Sequence, residues 1–372
     1  MIAYDYLVIG AGLYGATFAR VAAMNRKRVL VLEKRAEFGG NCADYKTNSG
    51  ILIHKHGAHI FHTSNKELWD FVNTFTEFAQ YQNNVKALSH DSIYSMPFNL
   101  NTLNQVFHTI WPADAIAAMR KECAKYHAVE PKNLDEQGRK LVGDTLFELL
   151  IRDYTEKQWG RSCKELPASI IKRLPIRMTY DNNYFNDTYQ GLPKAGYSTL
   201  VARMLDHEFI DVQLMTDFKP EDWYEHKYDA KTLVYTGPID EFYNFSNGEL
   251  EYRTLHFDVQ VMSTDNYQGC PVLNRCDHTV PYTRSIEHKH FLKTQSDDTV
   301  VTFEYPKTFE KGDEPYYPIN DERNSKLYAE YKALADKEQN VIFGGRLGRY
   351  SYLNMDQVME MAMTDFERSL RK

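Results

Sequence analysis

The chain of 372 residues is 43% hydrophobic and 26% charged, as in globular proteins, and no apolar run approaches the roughly 20 residues of a membrane span. Its formal net charge of −7, from 51 acidic and 44 basic residues, argues against nucleic acid as a general partner. Five cysteines without CxxC spacing predict reduced thiols, and the early first strand predicts a cytoplasmic protein without a signal peptide.

The first forty residues have the pattern of a dinucleotide-binding βαβ unit. Residues 4–9 form an apolar strand pattern, residues 10–15 have GxGxxG spacing, and residues 16–24 continue as a helix. A second apolar strand over residues 28–32 ends at Glu33. Because strand, glycine turn, helix, strand and acidic residue follow in this order, the segment predicts a bound dinucleotide rather than a tight turn alone.

Each glycine of this turn has an expected function. Gly10 permits the turn, Gly12 lets a pyrophosphate approach the backbone, and Gly15 lets the helix pack on its strand. Glu33 is expected to accept hydrogen bonds from an adenosine ribose. NAD and FAD both fit this pattern, but the glycine pair at residues 39–40 is similar to a second fingerprint of amine-oxidase-like FAD proteins and favours FAD.

Four histidines follow a strand pattern over residues 50–56: His54, His56, His59 and His62. Their spacing also fits a metal cluster, but no carboxylate or cysteine lies beside them to complete a site. We therefore expect His54 and His56 to share one strand face. The loop at Gly57 is expected to present His59 and His62 to the flavin.

Apolar periodicity predicts the remaining elements. In chain order they are a helix over residues 66–78, a hairpin over 83–97 with its turn at Asp91-Ser92, helices over 103–150 with Pro112 and Pro131 at helix starts, an aromatic and basic segment over 151–197, a helix over 197–206, strands over 212–214 and 232–237, an antiparallel sheet over 250–306, a strand over 340–346, and a helix over 355–370 capped by Asn354 or Asp356.

These elements predict an α/β fold in which a Rossmann-like FAD-binding domain is discontinuous. Tyrosine, with 26 residues, suits the binding of sugars and nucleobases in a second domain. The expected division is an FAD-binding domain from residues 1–65, 198–245 and 325–372, an inserted helical subdomain at residues 100–150, and an antiparallel β-sheet substrate domain from residues 66–99, 151–197 and 246–324.

Six further strings lie between residues 57 and 352. They are Gly57-Ala58-His59-Ile60-Phe61-His62-Thr63, Tyr154-Thr155-Glu156-Lys157-Gln158-Trp159-Gly160, Glu165-Leu166-Pro167-Ala168-Ser169-Ile170, Lys172-Arg173-Leu174-Pro175, Val280-Pro281-Tyr282-Thr283-Arg284 and Gly345-Arg346-Leu347-Gly348-x-Tyr350-x-Tyr352. Together and in this order they resemble the bacterial UDP-galactopyranose mutase family, and the resemblance covers nearly the whole chain.

The resemblance implies a flavin-dependent isomerase that interconverts UDP-galactopyranose and UDP-galactofuranose. In such enzymes N5 of reduced FAD attacks the anomeric carbon as UDP leaves, which forms a sugar–flavin adduct and then an iminium. The resemblance also implies a homodimer that supplies galactofuranose for cell-surface polysaccharides. No metal and no membrane contact are expected.

The family's site positions map onto this chain residue by residue. The resemblance implies catalytic roles for Arg173 and Arg284, which would bind the diphosphate, and for His59 near the flavin. The implied cofactor-binding residues are Gly10, Gly12, Leu13, Gly15, Glu33, Lys34, Asn41, His59, Ile60, Arg346, Leu353 and Met355. The implied substrate-binding residues are Asn83, Tyr154, Thr155, Trp159, Arg173, Tyr184, Asn274, Arg284, Tyr317, Tyr352 and Asn354, the last of which is Asp in some relatives.

Arg284 has no acidic residue near it in sequence before Glu287, which favours a phosphate contact over an ion pair. Two other functions stay open. One is an FAD oxidoreductase of the amine-oxidase-like group, which fits the nucleotide fingerprint but not the arginines and the aromatic segment. The other is a flavin-bound protein that binds a nucleotide sugar without turnover.

Overall fold

A computed structural model describes residues 3–171, 174 and 176–371 of the chain. Its strands are β1 Tyr4–Ile9, β2 Val29–Leu32, β3 Asp44–Lys46, β4 Leu52–His54, β5 Phe61–Thr63, β6 Phe78–Gln80, β7 Val85–Ser89, β8 Ser92–Met96, β9 Tyr189–Pro193, β10 Ile210–Gln213, β11 Ala230–Tyr235, β12 Tyr252–Met262, β13 Val272–Arg275, β14 Arg284–Glu287, β15 Thr299–Thr308, β16 Tyr317–Pro318 and β17 Val341–Phe343.

The helices alternate with these strands and cluster between β8 and β9. They are α1 Leu13–Met24, α2 Lys66–Asn73, α3 Leu100–Phe107, α4 Pro112–Cys123, α5 Leu134–Phe147, α6 Asp153–Trp159, α7 Tyr197–Leu205, α8 Pro220–Tyr224, α9 Ile239–Phe242, α10 Lys289–Leu292, α11 Glu322–Ala335, α12 Gly345–Gly348 and α13 Met355–Ser369. A π-helical turn, Glu148–Arg152, joins α5 to α6. Each helix of this described part of the chain is too short or too polar to span a lipid bilayer.

A parallel sheet in the order β10-β2-β1-β11-β17 forms the first layer, and all of its strand pairs are parallel. Its strands come from the start, middle and end of the chain, which confirms the predicted Rossmann-like fold class. Successive residues of β1 face opposite sides, so Val8 packs in one apolar core with α1 and α13, and Leu7 packs in another. The division of the whole chain into domains stays a prediction.

The second layer is a sheet in the order β16-β12-β15-β14-β13-β7-β8. The long strands β12 and β15 pair antiparallel, as the alternation over residues 250–306 predicts. β7 and β8 form the predicted hairpin, but its turn is at His90-Asp91 rather than Asp91-Ser92, because Ser92 is the first residue of β8. The prediction of an antiparallel sheet is wrong at one place, because β7 and β13 pair in parallel. That pairing joins segments nearly 190 residues apart in sequence, so no local pattern indicates it.

Other sequence predictions differ at element ends. The helix expected over residues 66–78 ends at Asn73, and Phe78 begins β6. Pro112 occupies the first turn of α4 as expected, but Pro131 precedes a helix whose cap is Asn133. The cap of α13 is Asn354, whose backbone N–H donates to Gln357 Oε1 at 2.9 Å. Caps thus follow local side-chain hydrogen bonds, which periodicity does not show.

Candidate active site

A cavity of about 260 Å³ lies where β1 meets α1, and we call it the glycine-loop cavity. It is lined by backbone from two glycine segments and by side chains from distant parts of the chain. Ten of the residues predicted to bind a cofactor line it: Gly10, Gly12, Leu13, Glu33, Lys34, Asn41, His59, Arg346, Leu353 and Met355. Gly15 and Ile60 lie outside its wall. The cofactor-binding role of all these residues stays a prediction.

The glycine loop has the tight geometry that its sequence predicts. Gly10 has a φ of +102°, and a Cβ atom there would overlap Oγ1 of Thr236. A Cβ atom on Gly15 would overlap the carbonyl oxygen of Gly10, so this glycine lets α1 pack against β1. Gly12 is different, since a Cβ atom there would touch only Gly40 Cα, at 3.8 Å. Because residue 12 has no side chain, a phosphate could approach its backbone directly at the start of α1.

The second glycine segment packs directly on the first. Gly39 and Gly40 have φ values of +107° and +56°, which favour glycine. The backbone N–H of Gly39 donates to the carbonyl oxygen of Ala11 at 3.0 Å. A Cβ atom on Gly40 would lie 3.0 Å from Gly12 Cα, so the second segment leaves little room for a side chain at residue 40 where the two segments meet.

Glu33 holds the glycine loop in place. Its side chain is buried, and Oε2 accepts a hydrogen bond from the backbone N–H of Ala11 at 2.8 Å. Oε1 accepts one from the backbone N–H of Arg35 at 2.9 Å. Each carboxylate oxygen keeps a further lone pair, so the same group can still accept hydrogen bonds from ribose hydroxyls.

His59 is the histidine that reaches the glycine-loop cavity. Its Nε2 atom is buried and has no hydrogen-bond partner among the described residues, and its backbone N–H donates to Nδ1 of His54 at 3.1 Å. Burial, and then the charges of His54 and Arg346, lower the pKa of His59 to about 3. The imidazole is therefore neutral at physiological pH. Its Nε2 atom can donate a hydrogen bond to a bound group or accept one from it, depending on the tautomer.

The other predictions for this histidine segment need correction. His62 does not line the cavity: it lies on β5, where Nδ1 is 2.6 Å from Asp187 Oδ2 and the ring stacks on Phe185. His56 follows the end of β4 and bonds to the hydroxyl of Tyr316 at 2.6 Å, so it shares no strand face with His54. Within the described ranges, no group of three or more His, Cys, Asp or Glu side chains is placed to bind a metal.

A second cavity of about 380 Å³ brings together four of the residues predicted to bind substrate, Trp159, Arg284, Tyr317 and Tyr352, and we call it the Trp159 cavity. Leu166 and Ile170 form another part of its wall. Arg173, the other predicted catalytic arginine, lies outside the described residues. Its predicted contact with a diphosphate therefore stays a prediction.

The other predicted substrate residues lie on elements that meet at this cavity. Tyr154 and Thr155 are on α6 with Trp159, and Asn274 on β13 pairs directly with Arg284 on β14. Burial raises the pKa of Tyr154 to about 12, although the positive charge of Arg284 opposes this shift. Tyr154 therefore keeps its proton and can donate a hydrogen bond.

Tyr184 lies within the electrostatic influence of the same guanidinium, and burial raises its pKa as well. Its backbone N–H donates to the carbonyl oxygen of Asn83 at 2.8 Å. The structure therefore brings Asn83 and Tyr184 together, and their roles in substrate binding stay predictions. Asn354 differs, because it caps α13 beside the glycine-loop cavity and does not line the Trp159 cavity.

Arg284 forms a buried ion pair that the sequence analysis missed. Its Nε atom is 2.5 Å from Oε2 of Glu304, which lies directly opposite on β15. The Glu304 side chain is 1% exposed and that of Arg284 is 24% exposed. Burial lowers the pKa of Arg284, but the Glu304 carboxylate, together with smaller contributions from nearby tyrosines, more than offsets burial and raises it well above its ordinary value. A fixed positive charge therefore faces the Trp159 cavity.

One feature of the sequence could have indicated that Glu304 is a buried ion-pair partner: it is a charged residue within an apolar strand. It follows Val300, Val301 and Phe303 in a stretch whose side chains are buried. The Oε1 atom of Glu304 also leaves no room for a side chain at Gly57, where a Cβ atom would lie 2.8 Å away. The loop that leads to His59 thus packs against the Arg284–Glu304 pair.

Tyr352 joins the walls of the two cavities. The guanidinium of Arg346, which lines the glycine-loop cavity, lies over the Tyr352 ring at 4.5 Å from its centroid. On the other side Tyr352 stacks with Tyr317, with ring centroids 5.7 Å apart and an interplanar angle of 28°. A third cavity, of about 820 Å³, borders both through Lys34 and Trp159. A group bound in either cavity would therefore lie close to one bound in the other.

Comparison with known proteins decides what kind of protein this is. A sequence model described as UDP-galactopyranose mutase matches residues 149–352, which is more than half of the chain. The chain belongs to the UDP-galactopyranose mutase family. A second model, described as an NAD(P)-binding Rossmann-like domain, matches residues 8–75. The family match and this domain together imply a flavin cofactor.

Two relatives and one solved structure extend the match over the whole chain. A probable UDP-galactopyranose mutase of Klebsiella pneumoniae is 40% identical over 96% of this chain and 93% of the relative. A dTDP-fucopyranose mutase of Escherichia coli is 37% identical over 96% of each chain. A crystal structure of a reduced UDP-galactopyranose mutase has a TM-score of 0.78 at 13% identity over 99% of this chain and 96% of that one, which shows the shared fold.

Membership in the UDP-galactopyranose mutase family confirms the resemblance seen in the sequence and makes the protein an isomerase by family. The amine-oxidase-like alternative shares the fold of the family but has no support beyond the fold. The glycine-loop cavity lies mainly in the Rossmann-like part of the fold, which fits both functions. The Trp159 cavity, with its arginine and tyrosines, is the part that an oxidase acting on an amine does not require.

Proposed function

We propose that this mutase-family protein interconverts UDP-galactopyranose and UDP-galactofuranose, with FAD as its cofactor and the reduced form of FAD as the active one. The observation that carries the proposal is the contact chain from Arg346 through Tyr352 to Tyr317, which sets the glycine-loop cavity beside the Trp159 cavity. A sugar on a nucleoside diphosphate and a flavin could therefore meet at this boundary.

The residues of the glycine-loop cavity fit an FAD molecule. The side-chain-free face at Gly12 and the N-terminus of α1 suit the pyrophosphate, and Glu33 keeps acceptors for the ribose. His59 has an unpartnered Nε2 atom for a flavin heteroatom. Met355 begins α13, so the positive end of that helix dipole favours negative charge on a bound flavin. When bound and reduced, the flavin supplies a nucleophile for the anomeric carbon.

Residues of the Trp159 cavity would hold the nucleotide sugar. A diphosphate carries about two negative charges, and arginine pairs with phosphate oxygens bidentately. Arg284 is oriented by Glu304, so it would stabilise UDP as its bond to the sugar breaks, with Arg173 as the second proposed contact. The proposed uridine contacts are Asn83, Tyr154, Thr155, Trp159 and Asn274, and the proposed phosphate or sugar contacts are Tyr184, Tyr317, Tyr352 and Asn354.

The dTDP-fucopyranose mutase relative makes a second substrate a specific alternative. The two substrates differ in a methyl group on the base, the 2′-hydroxyl of the ribose and the 6-hydroxyl of the hexose. A site can distinguish the methyl group by roughly 1–3 kcal/mol, and a hydroxyl that it hydrogen-bonds by more. We propose UDP-galactose because the family model and the relative of higher identity both carry that substrate in their names.

The test is chromatographic separation of the two sugar-ring isomers. Purified protein is incubated with UDP-galactofuranose or with dTDP-fucofuranose, each with and without dithionite. We expect a yellow protein that turns over only after reduction, prefers the UDP sugar and does not consume reductant stoichiometrically. Preference for the dTDP sugar would assign the second substrate. UDP binding without turnover would indicate a binding protein, and oxygen uptake with an amine would indicate an oxidase.

We also propose a cytoplasmic homodimer that supplies galactofuranose for cell-surface polysaccharide synthesis. The support is the family match, since relatives that cover nearly the whole chain carry this activity in their names. Sedimentation of the purified protein tests the dimer, and loss of galactofuranose from the cell surface after deletion of the gene tests the role.

A further inference from the structure

Lys157 belongs to the helix that carries three of the proposed substrate contacts. Tyr154, Thr155 and Trp159 lie within one turn of it on α6. Its half-buried side chain points toward the second sheet.

The ammonium group of Lys157 is bound by four backbone carbonyls of one loop. Nζ donates to the carbonyl oxygens of Asp277 at 2.6 Å, Arg275 at 2.8 Å, Tyr282 at 3.1 Å and Val280 at 3.4 Å. An ammonium has three donors, so these four acceptors satisfy it fully, with the longest bond shared. Residues 275–282 therefore curve around one half-buried charge.

This loop connects the two strands that carry the other proposed contacts. Asn274 on β13 directly precedes Arg275, and Arg284 on β14 lies two residues after Tyr282. The two residues are also direct partners in the β13–β14 ladder. The position of the loop relative to α6 thus sets the distance from Trp159 to Asn274 and to Arg284.

We propose that Lys157 is a positioning residue that fixes α6 to the β13–β14 loop and so holds the two halves of the nucleotide site at their working separation. The inference rests on the proposed function, because Trp159, Asn274 and Arg284 are its proposed substrate contacts. Lys157 itself touches neither cavity, so its effect on binding is indirect. A shift of about 1 Å between groups that bind one ligand can cost up to roughly 100-fold in rate.

The chain contains a matched control for this role. Lys289 is buried and donates to three loop carbonyls, of Ser296 at 2.6 Å, Asp265 at 2.9 Å and Asp298 at 3.2 Å. The two loops that contain these carbonyls carry none of the proposed contacts. Lys157→Met and Lys289→Met therefore remove the same type of interaction, but only the first lies between substrate-binding elements.

The experiment measures the Kd for UDP by calorimetry, the KM and kcat of the reduced holoenzyme, and the thermal midpoint. Both variants are expected to melt at lower temperature. In Lys157→Met the Kd for UDP and the KM should rise on the order of tenfold, while FAD content stays normal. In Lys289→Met both values should match the unaltered protein, because a purely structural loss reduces the folded fraction and not the affinity of folded protein.

A Kd for UDP and a KM within twofold of the unaltered values in Lys157→Met would overturn the inference. If that variant does not fold, Lys157→Gln is used, since its amide keeps a donor but is too short to reach all four carbonyls. Unaltered affinity there would overturn the inference equally. Failure of the unaltered protein to bind UDP would contradict the proposed function itself and the inference with it.

Discussion

Arg284 and Glu304 face each other across two antiparallel strands, with Nε and Oε2 2.5 Å apart. Because Glu304 is almost fully buried, its charge depends on the guanidinium for compensation. The same guanidinium lines the Trp159 cavity. One ion pair therefore orients a binding group and stabilises the sheet, and the two contributions can be separated by substitution.

We predict that Arg284→Ala abolishes most turnover while FAD stays bound. It should also lower the unfolding free energy by about 3–5 kcal/mol, because it leaves the Glu304 carboxylate buried without a partner. The double variant Arg284→Met with Glu304→Leu should recover most of that stability, since an apolar pair replaces both charges, but should stay inactive. Denaturant unfolding and the sugar-isomer assay measure the two effects.

Recovery of turnover in the double variant would remove Arg284 from the proposed diphosphate contact and leave it a structural residue. Equal stability of Arg284→Ala and the unaltered protein would mean that the pair contributes nothing to folding. The corresponding prediction for Arg173 is that Arg173→Ala loses most turnover while FAD stays bound. Near-normal activity of this variant would exclude Arg173 from the proposed diphosphate contact.

Two glycines of the cofactor loop should respond differently to the same methyl group. Gly12→Ala is expected to keep the unfolding free energy of the FAD-free protein within about 1 kcal/mol, because φ is −82° and the new Cβ meets Gly40 Cα only at contact distance. It should nevertheless lose FAD, since the methyl occupies the phosphate face. Gly15→Ala should destabilise the fold by about 1–3 kcal/mol or more, because its Cβ overlaps a backbone carbonyl.

Flavin absorbance after gel filtration and chemical unfolding of the FAD-free protein measure this contrast. Retention of stoichiometric FAD by Gly12→Ala would contradict the proposed phosphate position. Normal stability of Gly15→Ala would show that α1 can move away from β1 at little cost, contrary to the packing seen here.

Tyr352 should affect both ligands, because it contacts Arg346 on one side and Tyr317 on the other. Tyr352→Leu removes the ring, so it should weaken FAD binding through Arg346 and UDP binding through Tyr317. Tyr352→Phe keeps the ring, so FAD affinity should be normal and only UDP affinity should fall. Titration of each ligand by calorimetry tests this, and unchanged FAD affinity in Tyr352→Leu would argue against coupling between the cavities.

Buried histidines should make the protein acid-labile. Burial lowers the pKa of His288 to about 3, and burial with the charge of His288 lowers that of His54 to about 3. In the unfolded chain each takes up a proton below about pH 6.5, but in the folded chain not until about pH 3. Their contribution to stability is therefore complete above pH 6.5 and falls as the pH drops toward 3, by up to about 1.4 kcal/mol per pH unit for each histidine.

His288→Gln should therefore flatten the fall in unfolding free energy between pH 6.5 and 4.5, whatever its effect on stability at pH 8. The exposed His127 provides the control, since His127→Gln should keep the original slope. Urea unfolding at several pH values gives both slopes. An unchanged slope in His288→Gln would mean that this imidazole is protonated in the folded protein.

Much of the fold could be predicted from the sequence because the signals are local. The strand predicted over residues 4–9 is β1 with the same bounds, and the turn between β7 and β8, at His90-Asp91, lies one residue before the predicted Asp91-Ser92. Alternation identified β12 and β15 as antiparallel partners. In each case the pattern lies within about ten residues, where backbone geometry and burial of one face suffice to specify it.

The contacts that the sequence did not predict depend on residues far apart in the chain. His62 bonds to Asp187, 125 positions away, and stacks on its neighbour Phe185, which no spacing around the histidine indicates. Nζ of Lys157 bonds to the carbonyl oxygens of Arg275 and Asp277, 118 and 120 positions away, which the sequence around the lysine does not indicate. In both cases the partner is chosen by how distant segments pack.

The sequence by itself determined the dinucleotide fold, because glycines at set spacing and apolar periodicity act within a few turns of chain, and six strings between residues 57 and 352 resembled the family. Only the tertiary structure decided that Arg284 lies opposite Glu304, that β7 joins β13 in parallel, and that Tyr352 separates the two cavities. Those relations depend on strand register and on packing between segments far apart in the chain. Charge compensation and burial operate between neighbours in space, whatever their distance in sequence.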